Sequence, residues 1–127
     1  KDSLYNTPPV FPIYIVNLVL QWIADNGGLA GIAERNRRKA AALYQTIDDS
    51  DGFYRCPVDP AVRSDMNVVF RLPDEEQEKK FVAGATERSM IGLKGHRSVG
   101  GVRASIYNAM PEAGVEALIN YMKEFRR

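Results

Sequence analysis

Between Lys94 and Asn108 the chain reads Lys-Gly-His-Arg-Ser-Val-Gly-Gly-Val-Arg-Ala-Ser-Ile-Tyr-Asn, which sets His96-Arg97, a glycine pair and Arg103 within a strand's length. This is the chemistry of an anion site. Guanidinium groups hold phosphate and carboxylate through bidentate forks, and paired glycines let backbone approach a ligand that a Cβ would block. On spacing alone, His96 reads equally well as a satisfied surface histidine and Arg103 as the partner of a nearby carboxylate. Lys94, inside the same run, supports the loop or adds positive potential.

The elements that must position these groups follow from periodicity. A strand over Gly101 to Tyr107 turns Val102, Ala104 and Ile106 to one side and Arg103, Ser105 and Tyr107 to the other. A short strand, Met90 to Leu93, leads into the anion loop. Two earlier strands are expected, at Phe53 to Cys56, stopped by Pro57, and at Met66 to Leu72, where Met66, Val68, Phe70 and Leu72 share a face. Pro73-Asp74-Glu75-Glu76 opens a helix with acidic residues at the positive end of its dipole and a stripe of Phe81, Val82 and Ala85. Pro111 opens the last helix, with Val115, Leu118, Ile119, Met122 and Phe125 at helical spacing.

Upstream, Pro8, Pro9 and Pro12 make a stiff entry to a helix from Pro12 to Asn26, ended by Gly27-Gly28. That helix is apolar nearly all round, so it should be buried by its own domain plus another domain or subunit. From Leu29 a second helix carries Ile32, Ala33, Ala40, Leu43, Tyr44 and Ile47, with Glu34, Arg35, Arg37, Arg38 and Lys39 read as its solvated face. The pattern is α+β, a mixed α/β layer: a sheet of about four strands covered by helices, preceded by the long apolar helix.

The 127 residues fit one ordinary domain with a real core. Seventeen basic against sixteen acidic residues give a net charge of +1, so nucleic acid and membrane surfaces are not expected partners. The single cysteine, Cys56, permits no internal disulfide and no Cys/His zinc cluster, and fits a reducing cytoplasm. Cys56 itself reads as a small core or strand residue. The apolar run Ile13 to Ile23 falls short of the ~20 residues a bilayer needs. The chain begins with Lys1 rather than methionine, which points to a missing N-terminal part of something larger.

Five segments, Leu4-Tyr5-Asn6-Thr7-Pro8-Pro9, Asp25-Asn26-Gly27-Gly28, Arg63-Ser64-Asp65-Met66-Asn67-Val68, Gly92 to Arg97 and Gly100 to Pro111, resemble in order the C-terminal part of the phosphoserine aminotransferase family. The resemblance implies the small C-terminal domain of a homodimeric fold-type I, pyridoxal 5'-phosphate-dependent transaminase. Residues 1–27 would be the extended segment and interdomain helix, and 28–127 the small domain. The large domain with its Schiff-base lysine would be absent, leaving no catalytic residue in this chain. The implied reaction interconverts 3-phosphohydroxypyruvate and glutamate with phosphoserine and 2-oxoglutarate, in serine and vitamin B6 biosynthesis.

By the same resemblance His96 and Arg97 bind the substrate phosphate and Arg103 its α-carboxylate, while Asn6 and Thr7 reach the cofactor phosphate of the neighbouring subunit. The chemistry agrees. A substrate with an anion at each end needs two cationic groups about its own length apart, and an amide and a hydroxyl both donate to phosphate oxygens. Tyr107 and Asn108 are expected to brace the strand end, and Asn67 and Arg63 read either as domain-interface residues or as strand edge and surface. Two alternatives stand beside this reading: a stand-alone anion-binding or dimerisation module of the same fold, and a transaminase for another substrate. The His96-Arg97 pair argues against the second.

Overall fold

The computed structural model describes residues 5–127, so Leu4 and the start of the entry segment lie outside the described residues. The chain divides into two compact units, Lys1–Glu34 and Arg35–Arg127. The elements are α1 (Val10–Asp25), α2 (Gly28–Asp48), a single 3-10 turn (Pro60–Val62), β1 (Asn67–Phe70), α3 (Glu75–Glu87), β2 (Lys94–His96), β3 (Gly100–Ser105) and α4 (Glu112–Phe125). Helix α2 runs across the division.

In the first unit, α1 starts earlier than Pro12. The Ile13 N–H donates to Pro9 O at 3.1 Å, and Pro12 falls in the first turn, where a missing N–H costs nothing. The helix ends where Asn26 donates its side-chain Nδ2 to Trp22 O at 2.8 Å and Gly27 takes a φ of 90°. No residue of α1 is buried. The burial expected for it is thus only partial: Trp22 and Ile23 are half-buried, while Phe11, Val16 and Leu20 stand exposed.

The second unit is built on a three-stranded antiparallel sheet in the order β1-β3-β2. The alternation predicts four strands. The Phe53 to Cys56 segment shrinks to one bridge, Arg55 to Arg71, because Pro57 cannot donate to a ladder. Met90 to Leu93 is no strand either: Ser89 and Gly92 take φ values of 63° and 78°, and pairing begins at Lys94. Val68, Phe70, Val102, Ala104 and Ile106 bury one sheet face against Leu43 and Ile47 of α2, Phe81 and Ala85 of α3, and Val115, Leu118 and Met122 of α4. Phe81 is the hub, with the Tyr121 and Phe125 rings at 4.8 and 5.2 Å.

Asp74 caps α3. Its Oδ1 accepts the Gln77 N–H at 2.8 Å, and that bond holds the Asp74 carboxyl below its ordinary pKa. Asp74→Ala is expected to lower the urea midpoint at pH 7, whereas Asp74→Asn, an equally good cap, leaves it nearly unchanged. Because the folded pKa is depressed, the carboxylate's contribution is complete above pH 3.8 and fades as the pH falls through the folded value. The Asn variant should lose that part of the acid sensitivity.

Lys39 departs from the solvated face expected for it. It is 2% exposed, and its Nζ donates to the carbonyls of Ile106 (3.1 Å), Tyr107 (2.7 Å) and Met110 (3.0 Å). A second charged residue, Glu78 on the Phe81 side of α3, is 7% exposed. Among the described residues no helix is long and apolar enough to cross a membrane.

Candidate anion site

Strands β2 and β3 form a hairpin closed by Arg97-Ser98-Val99, with the Val99 N–H donating to His96 O at 2.9 Å. The segment expected to be a loop thus carries strand pairing up to His96. A Cβ on Gly95 would meet Gly101 O at 2.6 Å, so the two strands approach too closely for any other residue there. Gly100 and Gly101 both take a φ of 75°. Arg71 packs against both, most closely at Gly101, where a Cβ would stand 2.7 Å from Arg71 Cδ and 3.0 Å from Phe70 O.

The hairpin and α3 enclose an open cleft of about 640 Å³, with Lys94, His96 and Arg97 on one wall and Lys79 and Val82 on the other. The Ser98 N–H donates to His96 Nδ1 at 3.3 Å and Ser98 Oγ lies 2.7 Å from the same nitrogen. That network makes Nδ1 an acceptor and leaves Nε2–H to donate outward. Arg97 is exposed and makes no hydrogen bond or ion pair among the described residues. His96 and Arg97 are therefore brought together with donors uncommitted.

Arg103 does not line this cleft. It pairs with Val69 across β1–β3, and the pleat turns it to the sheet face opposite Val102 and Ala104, as the alternation predicts. Asn67 and Ser105 share that face, with Ser105 Oγ donating to Asn67 Oδ1 at 2.9 Å. Arg103 Nε is buried without a hydrogen-bond partner. Arg63 Nε is buried in the same way although its guanidinium is paired with Asp48, so an orphaned Nε does not by itself mark an anion site. Asn6 and Thr7 belong to the other unit, on the exposed segment before α1.

Of the bracing residues, Asn108 accepts from the Asn36 Nδ2 at 2.8 Å, while Tyr107 is exposed. Arg63 grips Asp48 through two bonds of 2.7 and 2.9 Å and lies over the Tyr44 ring at 4.7 Å. The residues that spacing alone did not single out are Arg71, Glu78 and Lys39. Glu78 sits three residues before Phe81 and seven before Ala85, and Lys39 four before Leu43, so helical spacing places both on buried stripes.

The chain belongs to the class-V aminotransferases: the model of that family matches residues 1–118. Among individual proteins it is 63% identical over 126 residues to the phosphoserine aminotransferase of Laribacter hongkongensis and 57% identical over 127 residues to that of Niallia circulans. Those matches cover 99% and 100% of this chain but 35% of each relative. The structure of phosphoserine aminotransferase from Bacillus circulans subsp. alkalophilus superimposes with a TM-score of 0.96 at 57% identity, over 99% of this chain and 35% of that one. A pyridoxal-phosphate-bound phosphoserine aminotransferase from Trichomonas vaginalis gives 0.89 at 42% identity, over 96% and 35%. The chain thus spans 35% of the length of these relatives.

Proposed function

We propose that this chain is the substrate-gripping small domain of a pyridoxal-phosphate-dependent phosphoserine aminotransferase, acting in serine and vitamin B6 biosynthesis. The observation that carries the reading is the position of Arg103, whose guanidinium makes no hydrogen bond or ion pair among the described residues, three residues along β3 from the hairpin end that presents His96 and Arg97. From Gly100 to Arg103 the strand advances by about 10 Å, so in this reading the exposed His96 and Arg97 side chains would turn past the hairpin end toward the Arg103 face to hold the other end of one substrate. In this reading the Arg103 fork holds the α-carboxylate shared by glutamate and phosphoserine. His96 Nε2–H and the Arg97 guanidinium take the phosphate that phosphoserine alone has.

The residues present fit one part of the cofactor. Asn6 and Thr7 are exposed and offer an amide and a hydroxyl, donors suited to the phosphate of pyridoxal phosphate in a neighbouring subunit. When bound, that cofactor supplies the electron sink through which an amino group is moved. In this reading the lysine that engages such a ring comes from outside the described residues, where Lys39 is held by three carbonyls and Lys79, Lys80, Lys94 and Lys123 are exposed. Residues 28–127 would form the small domain, and the ring-holding groups would come from a large domain of the same protein.

Helix α1 fits a homodimer or interdomain contact, since most of its apolar residues, among them Phe11, Val16 and Leu20, are exposed among the described residues. In this reading the working protein is cytoplasmic, a compartment in keeping with one half-buried free cysteine. The isolated chain is expected to show no transamination of glutamate and no specific cofactor absorbance band, with activity appearing once it is joined to a large domain. Turnover by the isolated chain would refute this division of labour. Light scattering should find the isolated chain self-associated; a clean monomer at high concentration would count against the role given to α1.

A further inference from the structure

We infer that Arg71 and Glu78 are positioning residues for the turn that carries His96 and Arg97, a reading that rests on the phosphate site proposed above. The Arg71 Nε donates to Glu78 Oε1 at 2.6 Å, and its Nη1 donates to the carbonyl of Val99 at 2.8 Å. The second carboxylate oxygen, Glu78 Oε2, accepts the Gly101 N–H at 3.1 Å. One ion pair therefore grips the hairpin on both sides of Gly100. Arg71 is itself fixed, because its backbone exchanges two hydrogen bonds with Arg55, at 2.8 and 2.9 Å.

The pair is aimed at the turn. Both of its hairpin contacts are to backbone at Val99 and Gly101, next to Arg97, while the turn's side chains stay exposed. An exposed three-residue turn left to itself would have to be ordered by each incoming phosphate, at a cost in binding. The Glu78–Arg71 strut orders it beforehand. Arg71 also neutralises Glu78, which lines the same cleft as His96 and Arg97; without its guanidinium partner that carboxylate would repel a phosphate held by that pair. Gly101 is what lets Arg71 into this position, since a Cβ there would stand 2.7 Å from Arg71 Cδ.

The test uses the full-length enzyme carrying this segment, assayed with phosphoserine and with glutamate. Arg71→Lys keeps the charge but cannot reach both partners, and Glu78→Gln sets an amide donor against one of two N–H donors. Each is expected to raise KM for phosphoserine about tenfold, with its kcat within about threefold and KM for glutamate within about twofold. Gly101→Ala, which leaves both charges in place and displaces Arg71, should give the same selective pattern. Equal losses for both substrates, or an unchanged phosphoserine KM, would overturn the inference. Arg97→Ala in the same background separates the two levels. If it raises KM for phosphoserine and the strut variants do not, the strut alone has failed. If Arg97→Ala spares phosphoserine, the phosphate site fails and the strut with it.

Discussion

Arg103→Ala in the full-length protein is expected to lower kcat/KM for glutamate and for phosphoserine alike, each by about 100-fold. Both substrates carry an α-carboxylate, and the buried Arg103 Nε has no protein partner to compensate for its lost hydration. A hydrogen bond to a charged group contributes about 1.5–3 kcal/mol, and removing the guanidinium deletes the fork at once. Arg103→Lys should recover little, because an ammonium on a flexible stem cannot present two parallel donors. Arg97→Ala should behave differently, lowering kcat/KM for phosphoserine about tenfold or more while sparing glutamate, which has no phosphate. Steady-state kinetics with the two donors decide the matter. An Arg97 variant that harms both equally would remove the basis for splitting the site into a carboxylate end and a phosphate end.

What the residue pattern made readable was direction, and what it hid was partnership. Strict alternation along β3 was enough to send Arg103 away from Val102, Ala104 and Ile106, since a pleated strand has no other choice. Helical spacing in α4 likewise marked Val115, Leu118, Ile119 and Met122, all buried. The glycine pair was readable as a demand for space but not for whose space, because the occupant, Arg71, comes from beyond β1, some thirty residues earlier in the chain. The division of His96-Arg97 and Arg103 between a cleft and the opposite sheet face was equally invisible. It depends on the His96-to-Gly100 register of the hairpin, which local propensity does not encode.

Lys39→Met is expected to destabilise the second unit by about 3 kcal/mol, because it leaves the carbonyls of Ile106, Tyr107 and Met110 without the ammonium that joins them. The loss should be felt near the proposed substrate site, since those carbonyls follow directly on the strand that carries Arg103. Burial pushes the Lys39 pKa below 10.5, and the nearby Arg35 adds to the effect against a weaker opposing pull from Glu112. Between the folded value and 10.5 the unfolded chain holds more protons, so Lys39 makes stability rise with pH across that window. Tyr44, Tyr54 and Tyr121 act the other way. Burial raises their pKa above 10.0, and their contribution is lost as the pH climbs through the folded values. Both effects are separated by comparing urea unfolding of the parent and the Lys39→Met variant at each pH, because the tyrosines are common to both. The stability gap should widen as the pH approaches 10.5; a gap that narrows would mean that the three carbonyls favour the ammonium by more than its burial costs.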